Sequence, residues 1–256
     1  MAKLSDINYK KQLLLIGDSG TGKTGALASL ARDGYRLFII DLENGSKILR
    51  DLCPDHLDNI DVEQFADTYT IGPAGPTIKG MPGALMKASK QIDKWTKEVE
   101  WGPKDVLVLD SLTALGKAAL AVAKAQNPRV GDLRYHIGNA QQLIEPYIDT
   151  LTSKSAPYNL IVITHIKYKE LRDPKDQTKI LEHKNFPSAI GEALPARLPA
   201  AFNDCFAVIK MGEGAAAKRQ IVSSHNIISG LKTSAPSSMQ KSYPLETGLS
   251  QIFANL

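Results

Sequence analysis

The chain has 256 residues, of which 43% are hydrophobic, 23% charged and 6% aromatic, with 31 Lys and Arg against 27 Asp and Glu. These proportions exclude a disordered or fibrous chain and fit one medium α/β domain, or at most two small ones; we take residues 1–256 as a single domain. The net charge of +4 permits an anionic partner without demanding one, so the positions of the basic residues matter more than their total.

No apolar run approaches the roughly 18 residues that a membrane helix needs, and the longest, such as Leu13–Ile16 and Leu160–Ile163, are strand-sized. The N-terminal stretch carries Lys3, Asp6, Lys10 and Lys11 but only a short apolar run before Gly17. That is too little for a secretory signal, so a cytoplasmic location without membrane attachment is expected. Cys53 and Cys205 lie far apart, with no C-x-x-C and no His spacing suited to zinc. Both are read as buried thiols.

Along the chain, residues 12–17 form a short apolar run ended by a Gly-rich turn, and Lys23–Arg32 is Ala/Leu-rich with helical spacing. Strand patterns recur at Tyr35–Asp41, Val106–Asp110 and Leu160–Thr164, with helices predicted at about 84–99, 113–125 and 137–153. Alternating strands and helices, with strands apolar throughout, predict a mostly parallel twisted sheet covered on both faces. Residues 71–83, with four Gly and three Pro, are expected to be an irregular surface insertion. The polar stretch from Lys167 to Arg197 is expected to be a long mobile loop. Cys205–Met211 and Gln220–Ser224, separated by Gly212-Glu213-Gly214, predict a C-terminal antiparallel hairpin.

Gly17-Asp18-Ser19-Gly20-Thr21-Gly22-Lys23-Thr24 matches G-x-x-x-x-G-K-[ST] in full, between a strand and a helix as the mechanism requires. Its glycines let backbone N–H groups face phosphate oxygens, and the helix N-terminus adds a favourable field for an anion. With Gly25 just inside the helix, these residues are the expected contacts for a nucleotide. Lys23 is expected to reach the β and γ phosphates, and Thr24 to offer its hydroxyl to Mg²⁺. Val106–Asp110 has the form of the second nucleotide motif, delivering Asp110 to the same metal at the strand's C-terminal edge. Because Ser111 and not Glu follows Asp110, the group that orients the attacking water must come from elsewhere. A Gly-rich turn matching by chance is the competing reading, and the flanking strand and helix argue against it.

Together with four further segments, these motifs resemble the RecA-like recombinase ATPases, and within them the compact phage proteins that keep only the ATPase core and promote single-strand annealing. The resemblance covers most of residues 12–235 at the level of motifs. Phe38-Ile39-Ile40-Asp41-Leu42-Glu43 is similar to that family's strand ending in acid-x-Glu, which implies Glu43 as the catalytic base. Val106–Leu115 resembles the family's aspartate-serine strand. Gly131-Asp132 and Asn159–His165 are similar to the stretch from the first DNA-binding loop to the strand that senses the γ-phosphate. The family's sensor is usually Gln; here Thr164-His165 stands in its place, and a neutral His can still donate a hydrogen bond. The second DNA-binding loop would be residues 166–197, where seven basic residues oppose five acids. The expected DNA contacts are Arg129, Arg134, Lys167, Lys169, Arg172 and Lys175, acting mainly on phosphates. Ile228–Pro236 resembles the final core strand, which implies Lys232 as a cation reaching the ATP of an adjacent subunit.

The resemblance implies an Mg²⁺-dependent ATPase with a RecA-like α/β core that assembles as a ring or filament on single-stranded DNA, with a single-strand-binding protein as an accessory partner. Three alternatives stay open. An AAA+-type motor or helicase loader would carry a helical lid after the core, and only about 30 residues follow the hairpin here. A small-molecule kinase would need an arginine-rich lid, whereas residues 167–197 hold just Arg172 and Arg197. A non-hydrolysing DNA-binding module would use nucleotide only to stabilise its oligomer.

Overall fold

The computed structural model describes residues 9–73, 75–212 and 217–256. In chain order its elements are β1 (Gln12–Gly17), α1 (Lys23–Arg32), β2 (Arg36–Asp41), α2 (Leu49–Leu52), β3 (Ile60–Gln64), β4 (Tyr69–Gly72), β5 (Gly75–Ile78), α3 (Ala84–Glu98), β6 (Asp105–Asp110), α4 (Leu112–Gln126), α5 (Leu133–Leu151), β7 (Asn159–Thr164), β8 (Ile166–Arg172), β9 (Ile180–Pro187), α6 (Ala193–Arg197), β10 (Asp204–Met211), β11 (Lys218–Val222), β12 (Ser242–Pro244) and α7 (Leu245–Asn255).

Eight strands form one sheet in the order β12-β11-β10-β1-β7-β6-β2-β3. From β10 to β3 all neighbours run parallel, and β11 and β12 are antiparallel additions at one edge. The expected fold class is therefore the one observed. Every residue of β1, β6 and β7 is buried, as continuous apolar runs require when both faces are covered. Side chains alternate between the two layers. Leu14, Ile16, Phe38, Leu107 and Val162 meet Ala88, Leu115 and Ile144 of α3, α4 and α5 on one face. Leu13, Leu15, Ile39, Val108 and Ile161 meet Leu27 and Leu30 of α1 and Leu249, Ile252 and Phe253 of α7 on the other.

The parallel register determines where chemistry can occur. Asp41 pairs with Asp110, Asp110 with Ile163, Ile16 with Thr164 and Gly17 with Val208. The ends of four strands thus meet on one C-terminal edge of the sheet, where ligands bind in open α/β folds.

Several expectations need correction. Residues 71–83 are not wholly irregular: β4 and β5 form a hairpin there, with Tyr69 paired to Ile78 and Gly72 to Gly75; Ala74 lies outside the described residues. The stretch expected as a loop from Lys167 to Arg197 contains the β8–β9 hairpin, paired from Ile166–Pro187 to Arg172–Ile180, followed by α6. Ile228–Pro236 is not a strand; isolated bridges tie Ile228 to Asn185 of the separate β8–β9 hairpin and Lys232 to Cys205 of the main sheet. The third predicted long helix starts one turn early, at Leu133, because Asp132 Oδ1 accepts the Arg134 N–H at 2.9 Å and caps it. β10 and β11 form the expected antiparallel pair. Glu213 and Gly214 of its turn lie outside the described residues, as do Lys3 and Asp6. The hairpin is not the end of the fold, since β12 and α7 follow. Among the described residues no helix is long and apolar enough to cross a membrane.

Candidate nucleotide site

The loop from Gly17 to Gly22 joins β1 to α1 and curls around its own lysine. Lys23, buried at 6% exposure, donates through Nζ to the Gly17 carbonyl at 2.9 Å and the Asp18 carbonyl at 2.8 Å. Burial lowers its pKa, and the carboxylates of Asp110, Glu43 and Asp18 pull it back up. Thr21 Oγ1 closes the turn by donating to the Asp18 carbonyl at 2.8 Å. Two glycines are required here. A Cβ on Gly17 would sit 2.8 Å from both Thr21 Oγ1 and the Val208 carbonyl, and Gly22 has φ of +101° with Leu245 Cδ2 2.5 Å from its would-be Cβ.

Thr24, at the start of α1, donates through Oγ1 to Asp110 Oδ2 at 2.6 Å. Asp110 is 2% exposed at the end of β6, and desolvation pushes its pKa up to about 6 despite the Thr24 hydrogen bond; Asp41 and Glu43 add to the rise. The peptide bond from Asp110 to Ser111 is cis.

Glu43 stands opposite this pair. Its Oε1 accepts the Ser111 hydroxyl at 2.7 Å, and its Oε2 lies 2.8 Å from His165 Nε2. Burial would raise its pKa, but the hydrogen bonds from His165 and Ser111 prevail and hold it below the usual carboxylate range. His165 directly follows β7, with its N–H donated to Thr113 Oγ1 at 3.1 Å. The residue expected to sense phosphate and the residue expected to act as base are therefore brought together.

Asp41 holds the loop that carries Glu43, a role not read from the sequence. Buried at 1% exposure, it accepts the N–H groups of Glu43 (3.0 Å), Gly45 (3.2 Å) and Ser46 (3.0 Å), the Ser46 hydroxyl (2.6 Å) and Gln64 Nε2 (3.2 Å). Asn44 completes the loop in the left-handed region, φ 59°, and accepts a second Gln64 hydrogen bond at 2.8 Å. Those hydrogen bonds outweigh desolvation and lower the Asp41 pKa.

A cavity of about 470 Å³ runs from this cluster along α1, past Gly25 and Ala28 to Arg32. Its walls include Ser19, Gly20, Glu43 and His165, with Ile48 and Leu52 on one side and Arg219, Leu245 and Glu246 on the other. The last three come from β11 and α7, and nothing in their local sequence marked them. The residues fit a metal nucleotide. The hard oxygen donors of Thr24 and Asp110 suit Mg²⁺, which takes one or two carboxylates plus phosphates rather than a full protein cage.

None of the residues expected to touch DNA lines this cavity. Arg129, between α4 and α5, and Arg134, in the first turn of α5, are both exposed. On the β8–β9 hairpin Lys167 pairs with Glu192 at 2.5 Å and Arg172 with Glu170 at 2.6 Å, while Lys169 and Lys175 form no ion pair among the described residues. Tyr168 Oη donates to Asp18 Oδ2, so this hairpin rests on the phosphate loop. Lys232 is exposed; its backbone pairs with Cys205, which registers with Leu14 partway down β1, off the phosphate edge. Both cysteines are free and buried, as expected.

Comparison with solved structures finds a RadB recombinase at 16% identity and TM-score 0.43, covering 86% of this chain and 83% of that one. A KaiC-like protein from Pyrococcus horikoshii is similar at 12% identity and TM-score 0.43, covering 94% and 88%. So is the flagellar accessory protein FlaH from Methanocaldococcus jannaschii, at 14% identity and TM-score 0.43, covering 93% and 88%. No curated protein matches. A family model described as an AAA domain matches residues 9–204, from just before β1 to the start of β10, and takes in the phosphate loop, Glu43, Asp110 and His165. With that match over most of its length, the chain belongs to the AAA-domain family of P-loop NTPases.

Proposed function

We propose that this protein is an Mg²⁺-dependent ATPase that binds single-stranded DNA and acts as an oligomer in recombination or strand annealing. The observation that carries the hydrolytic half is the position of Glu43, a carboxylate held ionised by Ser111 and His165 and facing the Lys23, Thr24 and Asp110 cluster across one cavity. Lys23 and the loop N–H groups would hold the β and γ phosphates, and Thr24 and Asp110 would hold Mg²⁺ directly or through its water. When bound, that ion neutralises phosphate charge. Glu43 accepts a proton from the attacking water and His165 donates a hydrogen bond to the γ-phosphate or to Glu43. Glu43→Gln should bind nucleotide and lose phosphate release; a Gln variant that turns over at the parental rate refutes the assignment.

The DNA half rests on the exposed cations Arg129, Arg134, Lys169 and Lys175, which form no ion pair among the described residues. Lys167 and Arg172 are neutralised within the chain, so they contribute less than their number suggests. Lys232 would act on the nucleotide of an adjacent subunit. ATP hydrolysis should rise on adding single-stranded DNA at low salt, and the response should fade as salt increases. Electron microscopy with Mg²⁺, a non-hydrolysable ATP analogue and single-stranded DNA should reveal rings or filaments. Separate monomers with DNA-indifferent hydrolysis would leave a P-loop ATPase without the recombination role.

A further inference from the structure

Lys23, Arg32 and Arg219 are the Lys and Arg residues that line the nucleotide cavity. Two of them are engaged within the chain. Lys23 donates to the Gly17 and Asp18 carbonyls, and Arg32, at the far end, donates to the carbonyls of Leu52, at 3.3 Å, and Glu246. Arg219 differs: it is exposed, and its side chain makes no hydrogen bond or ion pair among the described residues.

The sheet register shows why it stands there. Val208 of β10 pairs with Gly17 of β1 on one side and with Ile221 of β11 on the other. Arg219 lies two residues before Ile221 in an antiparallel strand, so it stands about 7 Å beyond the end of β1. Residues two apart share a face, and Ile221 packs in the layer of α1 and α7, so Arg219 projects on the side where α1 begins. Its Cδ is 3.5 Å from the position a Cβ would take on Gly22; the stem lies against the phosphate loop. Lys210, its direct partner across the β10–β11 pair, shares that face and is also exposed. Like charges placed so are destabilising, and an anion lodged on the phosphate loop would relieve the repulsion.

We propose, resting on the nucleotide reading of this cavity, that Arg219 binds the α and β phosphates of the nucleotide held by its own chain. Glu43 and Asp110 mark the reacting γ end. Arg219 instead shares its contact at Gly22 with Leu245, the neighbour of the Glu246 that holds Arg32 at the far end, and so it faces the phosphates nearer the nucleoside. A planar guanidinium can donate two parallel N–H groups to phosphate oxygens there.

The test uses the full chain with Mg²⁺ and ADP, which carries both phosphates and needs no hydrolysis to be read. By titration calorimetry Arg219→Ala should weaken ADP about tenfold, the cost of one charged hydrogen bond. Arg219→Lys, which keeps the charge and loses the fork, should fall between. Lys218→Ala, next on β11 and facing the other side of the sheet, should bind as the parent does. The ³¹P signals of bound ADP should shift between parent and Arg219→Ala while the adenine protons stay in place. Without nucleotide, Arg219→Ala should unfold at the parental midpoint or slightly above it, since it no longer opposes Lys210. Parental ADP affinity in Arg219→Ala, a loss that moves the adenine protons and not the phosphorus signals, or a lowered unfolding midpoint would each overturn the proposal and leave the nucleotide reading intact. A parent that binds no ADP would overturn both.

Discussion

Replacing Asp41 by Asn tests whether the Glu43 loop is held by one buried carboxylate. Oδ1 accepts the Glu43 and Gly45 N–H groups, while Oδ2 accepts the Ser46 N–H, the Ser46 hydroxyl and Gln64. An Asn that keeps its oxygen on the first side turns an NH₂ toward the Ser46 N–H and the Gln64 amide. The Ser46 hydroxyl can rotate to accept, the Ser46 N–H cannot, and a Gln64 flip that turned Oε1 to the new NH₂ would give up its hydrogen bond to Asn44. Losing two hydrogen bonds to a charged acceptor, one from a buried N–H, should cost about 3 kcal/mol. The assay is denaturant unfolding followed by tryptophan emission, since Trp95 and Trp101 both pack on Phe38 of β2. The pH dependence supplies a second check. The folded Asp41 pKa is depressed, so its contribution is present above the unfolded value of about 3.9 and lost as pH falls through the lower folded value. Parent and variant should therefore differ at pH 7 and converge in acid. Loosening Glu43 by about 1 Å should also lower ATP turnover on the order of 100-fold. Equal unfolding midpoints at pH 7 would refute the reasoning, because the loop would then be held by something other than Asp41.

The raised pKa of Asp110 has the opposite sign: its contribution is full below about 3.9 and lost as pH rises through about 6, a difference of about 3 kcal/mol by pH 8. Measured without nucleotide, Asp110→Asn should be more stable than the parent at pH 8, and the gap should close in acid; a constant gap contradicts it. Phe253→Ala, which empties a fully buried site packed edge-on against Tyr35, should cost about 3–5 kcal/mol in unfolding experiments. Burial pushes the Cys205 thiol up to about 12 and raises that of Cys53, so neither should react with a thiol reagent at pH 8 until the chain is denatured.

The parallel strands were legible because burial on both faces leaves an unbroken apolar run, as in Leu13–Ile16 and Val106–Leu109. β8 carried no such signal. Its residues Ile166–Arg172 are mostly polar on both sides, and ion pairs and cross-strand partners such as Lys167–Phe186 hold it instead. α7 was missed although Leu245, Leu249, Ile252 and Phe253 recur at helical spacing, a signal that was there to be read. Lys23, Thr24 and Asp110 were legible from contiguous motifs and meet as expected. Asp41 was visible only as a strand ending, since its role depends on how the next five residues turn back. Arg219 and Leu245 were invisible for a different reason: they reach the cavity by tertiary packing from elements far along the chain.

The contact between Leu245 and Gly22 has a practical consequence for anyone dissecting this protein. The recognisable family region stops at residue 204, yet α7 braces the helix that follows the phosphate loop, and Arg219, Leu245 and Glu246 complete the cavity. A fragment trimmed to the familiar boundary would lose β10, the parallel neighbour of β1, along with one side of its nucleotide berth. Expression of such a piece should give inclusion bodies rather than a minimal folded core, and domain transplants need to carry the tail along.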